Sequence, residues 1–440
     1  MHRFTVPPDQ IHPLLQKNIL ADGFHVAIDL ERSHGSFIVD AVSGREILDF
    51  YSYFASLPIG HNHPSLTGDP EFLSALQRAA IANPANSDIY AGEFAAFVDT
   101  FARLARPDPF RYLFFVAGGS LAVENALKAA FDWKVQKNRA AGREPLGSQV
   151  VHFREAFHGR SGYTLSLTNT DRVKVEDFPV FPWPRVLNPK LRFPVTEEVL
   201  AETVKAERQS IQEIEQAFAA NPHDIAAIII EPIQGEGGDN QFRPEFFREL
   251  RRLSDEHEAL LIFDEVQTGL GATGKLWAYE HTGVVPDIIA FGKKAQVCGI
   301  MAGPRMDEVE RHVFKKSGRI NSTWGGNLTD MVRGSKYLQV IHEERLVLNA
   351  ARMGERLLAG LERLAAEHPI IDNVRGVGLM AAFSLPTPEE RNRLRTTLWE
   401  LGLATLPSWP RSVRVRPCLT VNEAEIDAAL GLIGEGLTRL

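Results

Sequence analysis

The chain has 440 residues, 44% hydrophobic and 24% charged, with a formal net charge of −8. At roughly 100–200 residues per domain this means two or three domains, and the acidic balance without a basic block argues against a nucleic-acid binder. No stretch approaches the ~18 apolar residues of a membrane span, and MHRFTVPPDQIHPLLQ lacks the apolar core of a secretory signal. The only cysteines, Cys298 and Cys418, exclude a disulfide scaffold or thiolate zinc cluster and suit a reducing cytoplasm.

In chain order, residues 27–50 read as a small antiparallel meander with glycine at its turns. Residues 111–119, RYLFFVAGG, read as a strand ending in glycines. A helix beginning at Leu121 follows, with Val123, Ala126, Leu127, Ala130 and Phe131 at helical spacing. QVVHF (149–153) is another strand. Five prolines between 179 and 194 mark a loop, because proline fixes φ and removes a donor. Residues 196–219 are helical, IAAIII (225–230) a buried strand, 244–258 a helix, and ALLIF (259–263) and PDIIAFG (286–292) further buried strands. From about residue 330 the character changes. Helical stretches at 331–367 and 387–401 bracket strand-like GLMAAFSL (378–385) and SVRVRP (412–417). A capping box, Asn422 with Glu425, opens a last helix with an apolar stripe of Ile426, Leu430, Ile433 and Leu437.

Apolar strands separated by helices predict an α/β fold around a mostly parallel sheet covered on both faces. Ligands of such sheets sit beyond the carboxyl ends of the strands. That rule singles out Gly118-Gly119-Ser120, Glu231, Asp264 and Lys293. The predicted domains are a large one at 61–330 and a small α+β one built from 1–60 and 331–440.

Asp264 and Lys293 each end a buried strand. A carboxylate there needs a partner to offset its desolvation. A partly buried lysine has a lowered pKa and exposes a nucleophilic amine, a candidate Schiff-base former. Together they suit pyridoxal phosphate, the lysine holding the aldehyde and the carboxylate keeping the ring nitrogen protonated. A strand-end salt bridge on a solvated rim is the simpler alternative. Gly118-Gly119-Ser120 before a helix suits a phosphate cradle, or Ser120 is merely an N-cap. His61 and His63, at i and i+2 without further clustered ligands, give no metal site.

Seven segments together carry a resemblance: GHNHP (60–64), GGSLAVENALK (118–128), AFHGRSG (156–162), EPIQGEGGD (231–239), DEVQTGLGATGKLWAYEHTGVVPDIIAFGKK (264–294), NSTWGGN (321–327) and RVRPCLT (414–420). In this order, over most of the chain, they resemble the class III (ω-type) pyridoxal-phosphate aminotransferases. The resemblance implies the type I fold of pyridoxal-phosphate enzymes, with a seven-stranded sheet in the large domain. By motif, Lys293 matches the Schiff-base lysine, with Lys294 the fallback because neighbouring side chains of an extended chain point opposite ways. Asp264 matches the partner of the ring nitrogen. Val266 and Phe157 match the residues packing the two ring faces, Val266 by lying two residues on in extended chain. Gln267 matches a neighbour of the ring hydroxyl, and Gly119 and Ser120 the phosphate cradle. Thr323 matches a phosphate contact that the family supplies from the neighbouring subunit, which implies a homodimer with shared sites, and Asn321 lies near the same pocket. His158 is read as shaping its loop, with no part in proton transfer. Two departures stand out: Gly118-Gly119-Ser120 replaces the usual serine-glycine before threonine or serine, and Cys418 stands where a second proline is common.

For substrates, the resemblance marks Arg160, Glu236 and Arg414. Arginine holds carboxylates bidentately, although each of these residues also suits a surface ion pair. In related ω-aminotransferases the glutamate covers the inner arginine while an amine donor is bound, and yields it to 2-oxoglutarate. FGKKAQVCGIMAG, NSTWGGNLTDMVR and EPIQGEGGD resemble most closely the members acting on the ε-amino group of L-lysine, with 2-oxoglutarate as acceptor and L-glutamate as product. Ornithine δ- or 4-aminobutyrate transamination is the alternative, since one methylene gives only ~1–3 kcal/mol of discrimination. An aminomutase would share the fold but work without 2-oxoglutarate. GVG (376–378) does not begin a dinucleotide fingerprint.

Overall fold

The computed structural model describes residues 4–440. Strands β1 (Phe37–Val39) and β2 (Glu46–Asp49) form the N-terminal antiparallel hairpin. The large sheet contains β3 (Tyr112–Val116), β4 (Gln149–Phe153), β5 (Arg185–Val186), β6 (Ile225–Ile230), β7 (Leu260–Asp264), β8 (Ile288–Phe291) and β9 (Cys298–Ala302). Its order is β3-β9-β8-β7-β6-β4-β5. Only β9 runs against its two neighbours. The predicted seven-stranded, mostly parallel sheet is therefore present, and the two-residue β5 from the proline-rich segment stays at its edge.

Every residue of β6, β7 and β8 is buried. Side chains alternate between the faces, so Ile228, Ile230, Leu261 and Phe263 enter one core and Ala227, Ile229, Leu260 and Ile262 the other. Each of these isoleucine, leucine and phenylalanine side chains contributes about 1.5–3 kcal/mol by leaving water. The helix Gly119–Ala140 covers the second face, with Trp133 fully buried.

The C-terminal third adds β10 (Asp372–Val377), β11 (Met380–Ser384), β12 (Leu403–Ala404), β13 (Leu406–Ser408) and β14 (Ser412–Val415). Four of these form a sheet in the order β10-β11-β14-β13, while β12 pairs parallel with β2. Leu48, Phe50 and Ile59 share a core with Leu357, Phe383, Val413 and Ile433. The capping box Asn422–Glu425 is present, and the last helix buries its stripe of Ile426, Leu430, Ile433 and Leu437.

Several elements differ from the sequence reading or were absent from it, among them the helices Pro70–Ala82 and Gly92–Leu104. Strand β9 was not foreseen, because its sequence CGIMA carries glycine and methionine and lacks β-branched runs. The helical pattern of 331–367 is two helices, Leu328–Glu343 and Leu346–Glu367, parted at Arg345, whose φ is +54°. The helix expected from Leu121 begins at Gly119. Among the described residues no helix is long and apolar enough to cross a membrane.

Candidate active site

A cavity of about 330 Å³ opens at the carboxyl ends of the central strands. Asp264, the last residue of β7, and Lys293, two residues beyond β8, both line it. Strands β7 and β8 are hydrogen-bonded neighbours with Asp264 opposite Ala290, so residues 29 apart in sequence are brought to one cavity.

Lys293 begins a short 3-10 turn with φ of +50°. The chain here is therefore not extended, contrary to the expectation behind the choice between the two lysines, yet the turn still parts them. Lys293 faces the cavity, whereas Lys294 donates to the carbonyls of Gln267 (2.6 Å) and Ala55 (3.4 Å). Burial lowers the Lys293 amine to about 8, the charge of Arg414 adding to the effect against Asp264 and Glu231. Burial and then the charge of Lys293 bring Lys294 lower still, to about 7, but its contacts commit it to the scaffold.

Asp264 accepts from the Val266 main-chain N–H at Oδ1 (3.0 Å) and from His158 Nδ1 at Oδ2 (2.8 Å). The first contact closes a turn, so Val266 reaches the cavity by that turn and not along an extended strand. The His158 ring is fully buried, and its Nε2 has no hydrogen-bond partner among the described residues. Thr168 Oγ1 accepts from the main-chain N–H groups of His158 (3.0 Å) and Gly159 (3.2 Å) and fixes the loop.

The helix Gly119–Ala140 points its N-terminus at the same cavity. Gly118, at φ +103°, precedes it without a side-chain cap, so Ser120 is no N-cap. Its Oγ accepts instead from the Arg160 N–H (3.0 Å). Neighbouring side chains leave no room for a Cβ at two glycines here. A Cβ on Gly119 would lie 2.9 Å from Val266 Cγ1, and one on Gly159 1.8 Å from Ser120 Oγ. Uncapped N–H groups at a helix start bind anions. Phe157 lines the cavity, with Arg160 Cζ 6.0 Å and Lys174 Nζ 5.3 Å from its ring centroid.

Glu236 lines the cavity and meets Arg414 behind it. Arg414, on β14, is 2% exposed and its NH2 donates to Glu236 Oε2 at 2.8 Å. Glu236 also accepts at Oε1 from Lys174 Nζ, 2.6 Å away. Burial raises the Glu236 carboxyl, but Arg414 and then Lys174 outweigh it and hold the group below its usual range. Gln267 Oε1 lies within reach of both Arg414 (3.4 Å) and Arg416 (3.5 Å).

Of the residues singled out from sequence, Gly119, Ser120, Phe157, Arg160, Glu236, Asp264, Val266, Gln267 and Lys293 line the cavity, and Arg414 stands directly behind Glu236. Asn321 and Thr323 do not line it. Both are exposed, Asn321 accepting from the Ser322 N–H (2.8 Å) and the Thr323 carbonyl from Ser87 (3.0 Å). His61 contacts Asp49 at 3.2 Å, and His63 caps a helix through Ser65. Sequence reasoning missed two contacts, that of His158 with Asp264 and that of Lys174 with Glu236. The tertiary role of Glu231 was also unforeseen, although its place at a strand end had marked it. Glu231 accepts from the N–H groups of Phe157 (2.9 Å) and Gly235 (3.1 Å), and burial raises its carboxyl to about 7.

An amine of lowered pKa, a carboxylate held from two sides, a cavity lined by Phe157 and Val266, and an uncapped helix start fit a phosphorylated pyridine aldehyde. That is the chemistry of a pyridoxal-phosphate enzyme. The family model for aminotransferase class-III matches residues 20–437. The chain is 52% identical over 432 residues to the L-lysine-epsilon aminotransferase of Mycobacterium tuberculosis, covering 98% of this chain and 96% of that protein. A solved structure of lysine aminotransferase from M. tuberculosis, described as in the internal aldimine form, superposes with a TM-score of 0.97 at 51% identity, covering 99% of this chain and 100% of the other. A 4-aminobutyrate aminotransferase of Dictyostelium discoideum is more distant, at 32% identity over 461 residues, 99% of this chain and 90% of that protein. The chain belongs to the class-III aminotransferases, and its cofactor is pyridoxal 5'-phosphate.

Proposed function

We propose that the protein transfers the ε-amino group of L-lysine to 2-oxoglutarate, giving 2-aminoadipate 6-semialdehyde and L-glutamate. The observation that carries this reading is the Glu236–Arg414 pair at 2.8 Å beside the cavity, joined to full-length similarity with lysine-epsilon aminotransferases. When bound, pyridoxal phosphate supplies an aldehyde that condenses with amines and a ring that accepts the electrons left by deprotonation.

The chain's own residues do the rest. The N–H groups at Gly119 and Ser120 hold the phosphate, and Thr323 of a second copy completes that contact. Phe157 and Val266, which line the cavity, would pack against the ring. Asp264 keeps a proton on the ring nitrogen, and Gln267 neighbours the ring hydroxyl. Lys293 anchors the aldehyde. Once a substrate amine displaces it, its free Nζ would take up and return the proton of the substrate's reacting carbon as general base and acid.

Arg160 at the mouth binds the distant α-carboxylate of lysine, while Glu236 neutralises Arg414, whose buried charge would otherwise be uncompensated. When 2-oxoglutarate enters, its α-carboxylate takes Arg414 from Glu236 and its far carboxylate takes Arg160. Asn321 borders the substrate space from the subunit interface. The reading includes a homodimer with shared sites, the division into 61–330 and the two termini, a cytoplasmic location and a role in lysine catabolism.

The test uses lysine carrying 15N at the ε position. The label is expected in glutamate, and only when 2-oxoglutarate is present. Unlabelled glutamate, or consumption of lysine without 2-oxoglutarate, overturns the reading.

A further inference from the structure

Glu236 stands between two cations. Its Oε2 accepts from Arg414 and its Oε1 from Lys174, at 2.8 and 2.6 Å. The two contacts use different oxygens, so one can break while the other persists. Lys174 does not depend on Glu236 for its place. It ends a 3-10 turn capped by Asp171, and its Nζ also donates to Thr170 Oγ1 at 3.0 Å, Thr170 itself being 1% exposed. Its side chain is 11% exposed and its ammonium lies over the ring of Phe157.

We propose that Lys174 is a positioning residue for substrate alternation: it retains the Glu236 carboxylate while a 2-oxo acid's carboxylate occupies Arg414. The inference rests on the alternation described above. A partly buried carboxylate that leaves one cation loses its compensation unless a second remains in contact. The trio carries two positive charges and one negative, so an incoming carboxylate completes neutrality without expelling Glu236 into water. Without Lys174, Glu236 keeps Arg414 as its one contacting cation among the described residues and competes harder with the 2-oxo acid for it.

The test compares the half-reactions of the cofactor-loaded enzyme: L-lysine with the pyridoxal form, and 2-oxoglutarate with the pyridoxamine form. Lys174→Met is expected to raise the 2-oxoglutarate concentration for half-maximal rate about tenfold, with a smaller effect on the lysine half-reaction. Lys174→Arg restores most of the loss. In a Glu236→Ala background the added Lys174→Met change is expected to have no further effect on 2-oxoglutarate. A persisting effect there means that Lys174 touches the substrate itself, and equal losses in both half-reactions, or none, mean a structural role or no role. Each of these results overturns the inference. If Glu236→Ala alone affects both half-reactions alike, the alternation reading fails and the inference falls with it. If Glu236→Ala is selective and Lys174→Met is not, only the inference fails.

Discussion

His158 Nδ1 donates to Asp264 Oδ2 across 2.8 Å, inside a loop that Thr168 fixes from behind. Asp264 is thus aimed from two sides, by His158 and by the Val266 N–H. A hydrogen bond to a charged group is worth about 1.5–3 kcal/mol. His158→Phe is therefore expected to lower kcat/KM about ten- to hundredfold, while Asp264→Asn costs more because it removes the charge on the ring nitrogen's partner. Steady-state kinetics on both variants check the order. A His158→Phe enzyme as active as the parent would show that Asp264 needs no support.

Lys293 must be neutral to attack an aldehyde. Its amine is lowered to about 8 by burial and by Arg414, so the neutral fraction grows as pH rises and levels off above about 8. The rate at which apoenzyme takes up pyridoxal phosphate is expected to follow that curve. A midpoint near the ordinary lysine value of 10.5 contradicts the assignment. Lys293→Ala is expected to lose the visible absorption band of the loaded enzyme altogether.

Glu236→Ala leaves Arg414 facing an amine donor without a counter-charge. Breaking a fully buried pair costs about 3–5 kcal/mol. Glu236 is 28% exposed and Lys174 is also released, so the expected loss in the lysine half-reaction is smaller, about ten- to hundredfold. Binding of glutamate should change less. Stopped-flow measurement of each half-reaction separates the two.

Glu265 follows Asp264 and is buried, accepting from the N–H groups of Ala278 (2.6 Å) and Tyr279 (2.9 Å) and from Thr268 (3.0 Å). Burial raises its carboxyl from 4.5 to about 7. The folded state therefore binds this proton more tightly than the unfolded chain. Its contribution to stability is full below about 4.5 and is lost as pH rises through about 7. Glu265→Gln is expected to flatten the fall of Tm between pH 5 and 8, and Glu265→Ala to lower Tm across the range by orphaning two N–H groups. A Glu265→Gln profile parallel to that of the parent would assign the pH dependence elsewhere.

The strands that build the site were legible because parallel strands buried on both faces read as continuous apolar runs: residues 149–153 and 225–230 have the expected bounds. Asp264 and Lys293 stood out because a charged residue closing such a run has no packing reason to be there. Strand β9 lacks that signature, and the break at Arg345 interrupts a periodicity that continues on both sides. The contacts of His158 with Asp264 and Lys174 with Glu236 span 106 and 62 residues. No local pattern encodes them; they exist only once β4, β6 and β7 lie side by side and bring the following loops over one cavity. Val266 and Lys293 were expected to follow extended geometry, and tight turns place them instead.

The central claim concerns the amine donor, and the cofactor's own colour reads it directly. L-lysine, L-ornithine and 4-aminobutyrate are each added, without 2-oxoglutarate, to the yellow loaded enzyme, and conversion to the pyridoxamine form is followed by absorbance. L-lysine is expected to convert the enzyme fully and fastest, and 2-oxoglutarate to restore the yellow form. Faster conversion by L-ornithine or 4-aminobutyrate, or a spectrum that L-lysine leaves unchanged, would contradict the account.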